Sequence, residues 1–117
     1  MCSSDLDLEE ALAGPSSGEG SVVVDCLTLW IGNLMLGLGG GPALGDEAIL
    51  EALDRAIRAA RGPAQVVWVS NEVGSGGVPS NPLARRFNDL QGLANQRLAA
   101  DCDSVHFCVA GLSMRLK

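Results

Sequence analysis

Tyrosine is absent from these 117 residues, and only two Trp and two Phe stand among the apolar positions. The core must therefore be aliphatic, made of Val, Leu, Ile and Ala. Histidine is almost absent too: His106 stands alone, and Cys2, Cys26, Cys102 and Cys108 form no CxxC pair. A zinc site is not assembled from such a set. Apart from Cys2, the cysteines sit inside apolar runs and read as small buried hydrophobes in a reducing cytoplasm. No basic stretch leads into an apolar core at the amino terminus, so no signal peptide is visible. The longest apolar run, Cys26 to Leu38, is interrupted by Thr28, Gly32, Asn33 and Gly37, which makes it too short and too broken to span a bilayer. Nor is there a basic footprint for nucleic acid: the net charge is −6.

What is present is ample apolar material, 47% of the chain, enough for one domain with a buried core. The charge is uneven. Residues 1–61 hold ten acids and three bases, and residues 62–117 hold four acids and five bases. The second half, with Arg85, Arg86 and Arg97, is the better host for a phosphate.

The chain divides into an irregular segment, residues 1–20, and an α/β segment, residues 21–117. Within the first, Asp7 to Leu12 has the makings of a turn or two of helix, and Gly14 to Gly20 is a linker by composition. The first six residues resemble a translated sequencing adaptor read from a GTG start, as expected of a reading frame cut upstream. Ser21-Val22-Val23-Val24-Asp25 is a β-branched run closed by an acid, the pattern of a strand buried on both faces. Cys26 to Leu38 is apolar all round and predicts a buried helix ended by Gly39-Gly40-Gly41-Pro42. Asp46 is placed to cap a helix over Glu47–Arg61, with Ile49, Leu53, Ala56, Ile57 and Ala60 on one face. Gly62-Pro63 stops it. Gln65 to Ser70 is a second buried strand. Ser80 or Asn81 caps a helix that has Pro82 in its first turn and runs to about Asp101 with Leu83, Phe87, Leu90, Ala94 and Leu98 inward. Ser104 to Val109 is a third strand, ended by Ala110-Gly111. The order β-α-α-β-α-β predicts a right-handed parallel layer, half of a doubly wound domain with an exposed apolar edge.

Polar residues gather at the strand ends: Asp25 with Thr28, then Ser70, Asn71 and Glu72, then Gly111 with Ser113. Parallel strands put these ends on one rim, where α/β proteins bind ligands. A carboxylate closing a strand beside a phosphate loop can hold Mg²⁺ through a water, although Asp25 can equally cap the following helix and Glu72 can be a solvated loop acid. Gly74 to Gly77 and Gly39 to Gly41 lack the lysine and hydroxyl of G-x-x-x-x-G-K-[ST], and both read as turns, the first a candidate lid. Arg85 and Arg86 suit a phosphate, or pair with Asp89 at helical spacing. Asn95 and Gln96 are helix amides that either read a base edge or lie on the surface. His106, mid-strand, reads as structural. No Ser/His/Asp or Cys/His set assembles.

Four motifs, in order, carry a family resemblance: Val23-Val24-Asp25-Cys26-Leu27-Thr28-Leu29-Trp30 with Asn33-Leu34; Val69-Ser70-Asn71-Glu72-Val73-Gly74 with Gly77-Val78-Pro79; Ala84-Arg85-Arg86-Phe87-Asn88-Asp89-Leu90 with Gly92 and Asn95-Gln96; and Ala110 to Lys117. From Ser21 to Lys117 the chain resembles the bifunctional adenosylcobinamide kinase / adenosylcobinamide-phosphate guanylyltransferase family of cobalamin biosynthesis. The resemblance implies a three-layer, mostly parallel, partial RecA-like P-loop fold, Mg²⁺ with ATP or GTP, and a homotrimer in the cytoplasm. It implies phosphorylation of adenosylcobinamide, then GMP transfer from GTP through a histidine-linked intermediate. Asp25 matches the acid beside the phosphate loop and is expected to contact nucleotide and Mg²⁺. Thr28, Asn71 and Glu72 are expected to line the same rim, and Arg85 to assist. The Walker A loop and the guanylylated histidine have no counterpart here, since His106 lies in the wrong motif. No catalytic residue is assigned, and the chain alone is expected to be inactive. Two other readings stay open: a non-catalytic subunit completing its sheet against a partner, and a small α/β nucleotide-binding module.

Overall fold

The computed structural model describes residues 7–14, 18, 20–38 and 40–117. The adaptor-like residues 1–6, most of the linker and Gly39 lie outside the described residues.

Helix α1 (Leu8–Ala13) starts where Asp7 Oδ1 accepts the Glu10 N–H at 3.0 Å, a capping bond that satisfies an otherwise unpaired donor. The segment read as irregular thus contains one short helix, held by buried Leu12 and by a 3.1 Å pair from Arg55 to Glu9. Strand β1 (Ser21–Asp25) and strand β2 (Gln65–Val69) pair in parallel, with Val23 opposite Val67 and Asp25 opposite Val69. Between them lie α2 (Leu27–Leu36) and α3 (Asp46–Ala59). A 3₁₀ turn (Gly74–Gly76) leads to α4 (Pro82–Asp101), which Asn81 caps by accepting from the Leu83 and Ala84 amides.

Helix α2 ends at Gly37, two residues before the glycine run expected to stop it. Gly37 has φ +70°, and a Cβ there would stand 2.8 Å from the Ala43 nitrogen. Only glycine fits both the left-handed conformation and the close approach. Asp46 does not cap α3. Gly45 occupies that position, and the Asp46 carboxylate instead receives Arg86 Nε at 2.6 Å.

One apolar cluster joins α2, α3 and α4 through Leu27, Ile31, Ile49, Leu53, Leu90 and Ala94, all essentially inaccessible. A second, of Leu12, Val24 and Ala56, lies under β1. Burial of each Leu or Ile contributes about 1.5–3 kcal/mol. The predicted face of α4 holds at Leu90, Ala94 and Leu98, with Phe87 half-buried. Leu83, in the first turn, is exposed.

Three further expectations need correction. Helix α2 is not buried all round, because Leu29 (67% exposed) and Leu36 (50%) face solvent. The strands are not buried on both faces: Val24 packs on the helices with Val22, Val66 and Trp68 half-buried, while Val23, Val67 and Val69 point away and are exposed. The third strand does not extend the parallel layer. Strand β3 (His106–Val109) pairs antiparallel with β4 (Leu112–Arg115) in a separate two-stranded sheet. The physical reason is the connection. Ala110 (φ 54°) and Gly111 (φ 74°) both take left-handed conformations, as in the two-residue turns that match the twist of a hairpin. The Ala-Gly pair read as a strand end is a reversal. Among the described residues, the order is α-β-α-α-β-α-β-β with one 3₁₀ turn, a mixed α/β domain.

The hairpin is tied back to the body. Leu116 N–H donates to Val105 O at 2.8 Å, and Lys117 Nζ donates to Ala99 O and Ala100 O, the last carbonyls of α4, at 2.9 and 3.2 Å. A cation there also suits the negative end of the helix dipole.

Candidate functional site

The β1–β2 register decides what meets at the strand ends. With Asp25 opposite Val69, the chain leaves β2 as Ser70-Asn71 just where β1 turns into α2. The Asn71 N–H donates to Thr28 Oγ1 at 3.1 Å, so the two strand exits are bonded together across the rim. The Asp25 carboxylate is exposed and has no hydrogen-bond partner among the described residues. The Asp25–Cys26 peptide bond is cis.

Helix α4 holds this rim from below. Gln91 Nε2 donates to Ser70 Oγ and to Asn95 Oδ1, each at 2.8 Å. Ser70 Oγ donates to Asn95 Oδ1 at 2.6 Å, and Asn95 Nδ2 donates to the Asn71 carbonyl at 3.0 Å. One turn earlier, Asn88 Nδ2 reaches the Val73 carbonyl at 3.5 Å. Three amides on one stripe of α4 therefore hold the segment from Ser70 to Val73, Gln91 at the Ser70 hydroxyl and Asn95 and Asn88 at the Asn71 and Val73 carbonyls. Gln91 is fully buried, and its Oε1 accepts from nothing among the described residues. The two donated bonds contribute about 1–3 kcal/mol together, which only offsets the unfilled acceptor's cost of about 1–3 kcal/mol.

The sequence singled out Asn95 without fixing its role, and missed Gln91. The signal was present: Gln91 lies four residues after Phe87 and four before Asn95, inside the inward stripe. A polar residue in such a stripe needs a buried partner.

The other expected residues lie apart from this network. Glu72 is exposed, and its Oε1 turns back to accept the Gly74 N–H at 2.6 Å, at the first residue of the 3₁₀ turn. Arg85 Nη1 donates to the Pro79 and Ser80 carbonyls at 3.0 and 2.8 Å, bracing the loop before its own helix. Its Nε and Nη2 take no partner among the described residues. Arg86 joins α4 to the start of α3 through Asp46 and, at 2.9 Å, the Leu44 carbonyl. Neither arginine pairs with Asp89. His106 lies on the exposed hairpin, 3.4 Å from Ser113 Oγ, in a different sheet from the rim. Cys108 is exposed there too, against the expectation of burial, whereas Cys26 and Cys102 are half-buried. Burial pushes the Cys102 thiol upward. Asp101 and Asp103 add to this, and Lys117 opposes it. Cys102 is therefore a protonated thiol and a poor nucleophile at neutral pH. No group of three metal-ligating side chains occurs among the described residues.

The sequence profile of the cobinamide kinase / cobinamide phosphate guanyltransferase family matches residues 1–116. The chain belongs to this family. Relatives agree with the assignment. The bifunctional adenosylcobalamin biosynthesis protein CobU of Salmonella typhimurium is 39% identical over 118 residues, covering 94% of this chain and 65% of the relative. CobP of Pseudomonas aeruginosa is 40% identical over 113 residues, covering 96% of this chain and 62% of the relative. CobU of Escherichia coli is 36% identical over 119 residues, covering 94% and 65%. The chain thus spans a little under two thirds of the length of these curated relatives. In this member of the cobinamide kinase / guanyltransferase family, the Thr28–Asn71 bond and the α4 amides organise the rim. No helix among the described residues is long and apolar enough to cross a membrane.

Proposed function

We propose that the rim formed by Asp25, Thr28, Ser70 and Asn71 is one wall of a nucleotide site. In this reading the site phosphorylates adenosylcobinamide with ATP or GTP and transfers GMP from GTP to adenosylcobinamide phosphate, giving adenosylcobinamide-GDP. The observation that carries the reading is the bond from the Asn71 amide to Thr28 Oγ1. It joins two parallel strand exits beside an unpartnered carboxylate, in a chain of this family. The rim belongs to a three-layer, RecA-like P-loop domain, in a cytoplasmic homotrimer.

The donor set fits Mg²⁺ held in the usual sparse way. Magnesium takes one or two carboxylates, and phosphate oxygens and waters complete its shell. Asp25 offers an exposed carboxylate with nothing else bonded to it, and Thr28 offers a hydroxyl that already accepts from Asn71 and keeps its own proton to donate. When bound, the ion supplies charge neutralisation at the phosphoryl oxygens. The chain's own residues position. Asn95 holds the Asn71 carbonyl and Gln91 the Ser70 hydroxyl, and Arg85, braced by two carbonyls, keeps free N–H groups for a phosphate edge. Glu72 shapes the loop by accepting the Gly74 N–H.

No residue of this chain is assigned the nucleophile, and the 117 residues alone carry neither transfer activity. Calorimetry with GTP and Mg²⁺ tests the wall: binding to the native chain should weaken at least tenfold in Asp25→Asn, about 1.4 kcal/mol. Equal affinities for the two, or no heat with either, refute the assignment. Transfer of labelled phosphate to cobinamide by the native chain would refute the claim of inactivity.

A further inference from the structure

A groove between α3 and α4 gathers arginines that the rim does not use. Its cavity measures about 470 Å³ and is lined by Asp54, Arg58, Arg61, Arg97 and Asp101 around Ile57. Asp54 and Arg58 stand one turn apart on α3, and Arg97 and Asp101 one turn apart on α4. Two ion pairs cross the groove, Arg97 Nη1 to Asp54 Oδ2 and Arg61 Nη2 to Asp101 Oδ1, each at 2.6 Å. The third guanidinium, Arg58, is exposed and has no partner among the described residues. Three cations therefore face two carboxylates in one concavity, in a chain whose net charge is −6.

That excess is open to a ligand. Each paired arginine engages its aspartate through one nitrogen and keeps its other N–H groups, and a guanidinium forks onto two oxygens at once. Exposed ion pairs are weak, so an oxyanion with more than one charge can share or displace the aspartates. Two helices end beside the groove, and their negative ends would oppose an anion. Both ends carry a counter-charge. Arg58 stands in the last turn of α3, and Lys117 Nζ donates to the Ala99 and Ala100 carbonyls of α4. The cavity also falls within the range of volumes that small-molecule sites occupy.

The groove is separate from the rim. Arg61 precedes the start of β2, whereas the rim lies where β2 ends, about 17 Å of strand farther on. On α4, Arg97 is two positions from Asn95, so it lies on a different side of the helix from the amides that hold the rim. We propose that this groove binds a polyphosphate anion through Arg58, Arg61 and Arg97. The inference stands on the charges of the groove and not on the nucleotide wall proposed above.

The test titrates the 117-residue chain with inorganic pyrophosphate, without Mg²⁺ and at constant ionic strength, and follows backbone amides and arginine side chains by heteronuclear NMR. Saturable shifts should appear at the Nε–H groups of Arg58, Arg61 and Arg97 and at the amides of Ala100 and Asp101, and not at Thr28 or Asn71. Arg58→Gln removes an exposed, unpaired cation, so it should leave the thermal melt unchanged while weakening binding about threefold or more. GTP without Mg²⁺ distinguishes the source of the phosphates. An affinity no tighter than that of pyrophosphate means that the phosphates alone are read, and a tighter one means that a nucleotide carries them. Absence of saturable shifts, equal affinity in Arg58→Gln, or shifts confined to the rim overturns the proposal. Binding of pyrophosphate here, with no binding of GTP and Mg²⁺ at Asp25, would refute the nucleotide wall and leave this site standing.

Discussion

Asn95→Ala isolates the hub of the rim. The side chain accepts from Ser70 Oγ and Gln91 Nε2 and donates to the Asn71 carbonyl, three bonds of 2.6 to 3.0 Å. A typical intramolecular bond contributes about 0.5–1.5 kcal/mol net, so three lost together cost about 2–4 kcal/mol. The lower half of that range is expected, since the Ser70 hydroxyl can rotate to another acceptor and Gln91 Nε2 keeps Ser70. About 2–3 kcal/mol is a large part of the 5–15 kcal/mol a domain usually has. Urea unfolding, followed by Trp fluorescence, should show a lower midpoint with an unchanged slope. A cycle with Ser70→Ala should give a coupling of about 0.5–1.5 kcal/mol, because the two share the shortest bond of the network. Asn95→Asp should be at least as damaging as Asn95→Ala, as it sets a carboxylate against the Asn71 carbonyl. A loss below about 0.5 kcal/mol for Asn95→Ala, or additive effects with Ser70→Ala, would refute the view that α4 holds the end of β2.

Gly37→Ala should lower stability by about 1–3 kcal/mol in the same assay, because φ +70° is costly and the new Cβ would press on Ala43 N at 2.8 Å. A neutral result would mean the turn after α2 is not held as described. Cys102 predicts a pH effect. Its thiol is raised in the folded state, chiefly by burial, so its contribution is fully present below the ordinary thiol value of 9.0 and fades as pH rises through the folded value. Cys102→Ala should therefore flatten the alkaline decline of stability measured between about pH 8 and 10. An unchanged slope would rule the thiol out as its source.

Element type was legible wherever one local signal decided it. Asn81 with Pro82 announces the start of α4, and the helical stripe of Leu90, Ala94 and Leu98 announces its buried face. The valine runs announce β1 and β2. Legibility failed where a local signal had two outcomes. Ala110-Gly111 suits a strand end or a reversal, and only the left-handed pair of dihedrals distinguishes them. Asp46 suits a cap or an ion pair, and the choice went to Arg86, 40 positions away in sequence. At the site, Asp25, Thr28 and Asn71 could be named from their places at strand ends. Gln91 could not, because its role depends on how α4 lies against β2.

The sequence by itself determined the aliphatic core, the two parallel strands, the helices and the family, because periodicity, capping residues and motif order are local properties of the chain. Only the tertiary structure decided that Thr28 meets Asn71, that Gln91 and Asn95 clamp the rim, and that the last strand folds back on itself with its apolar face open. Those outcomes depend on the β1–β2 register, the placement of α4 and one pair of left-handed residues. Each brings together groups that are distant along the chain or indistinguishable by pattern.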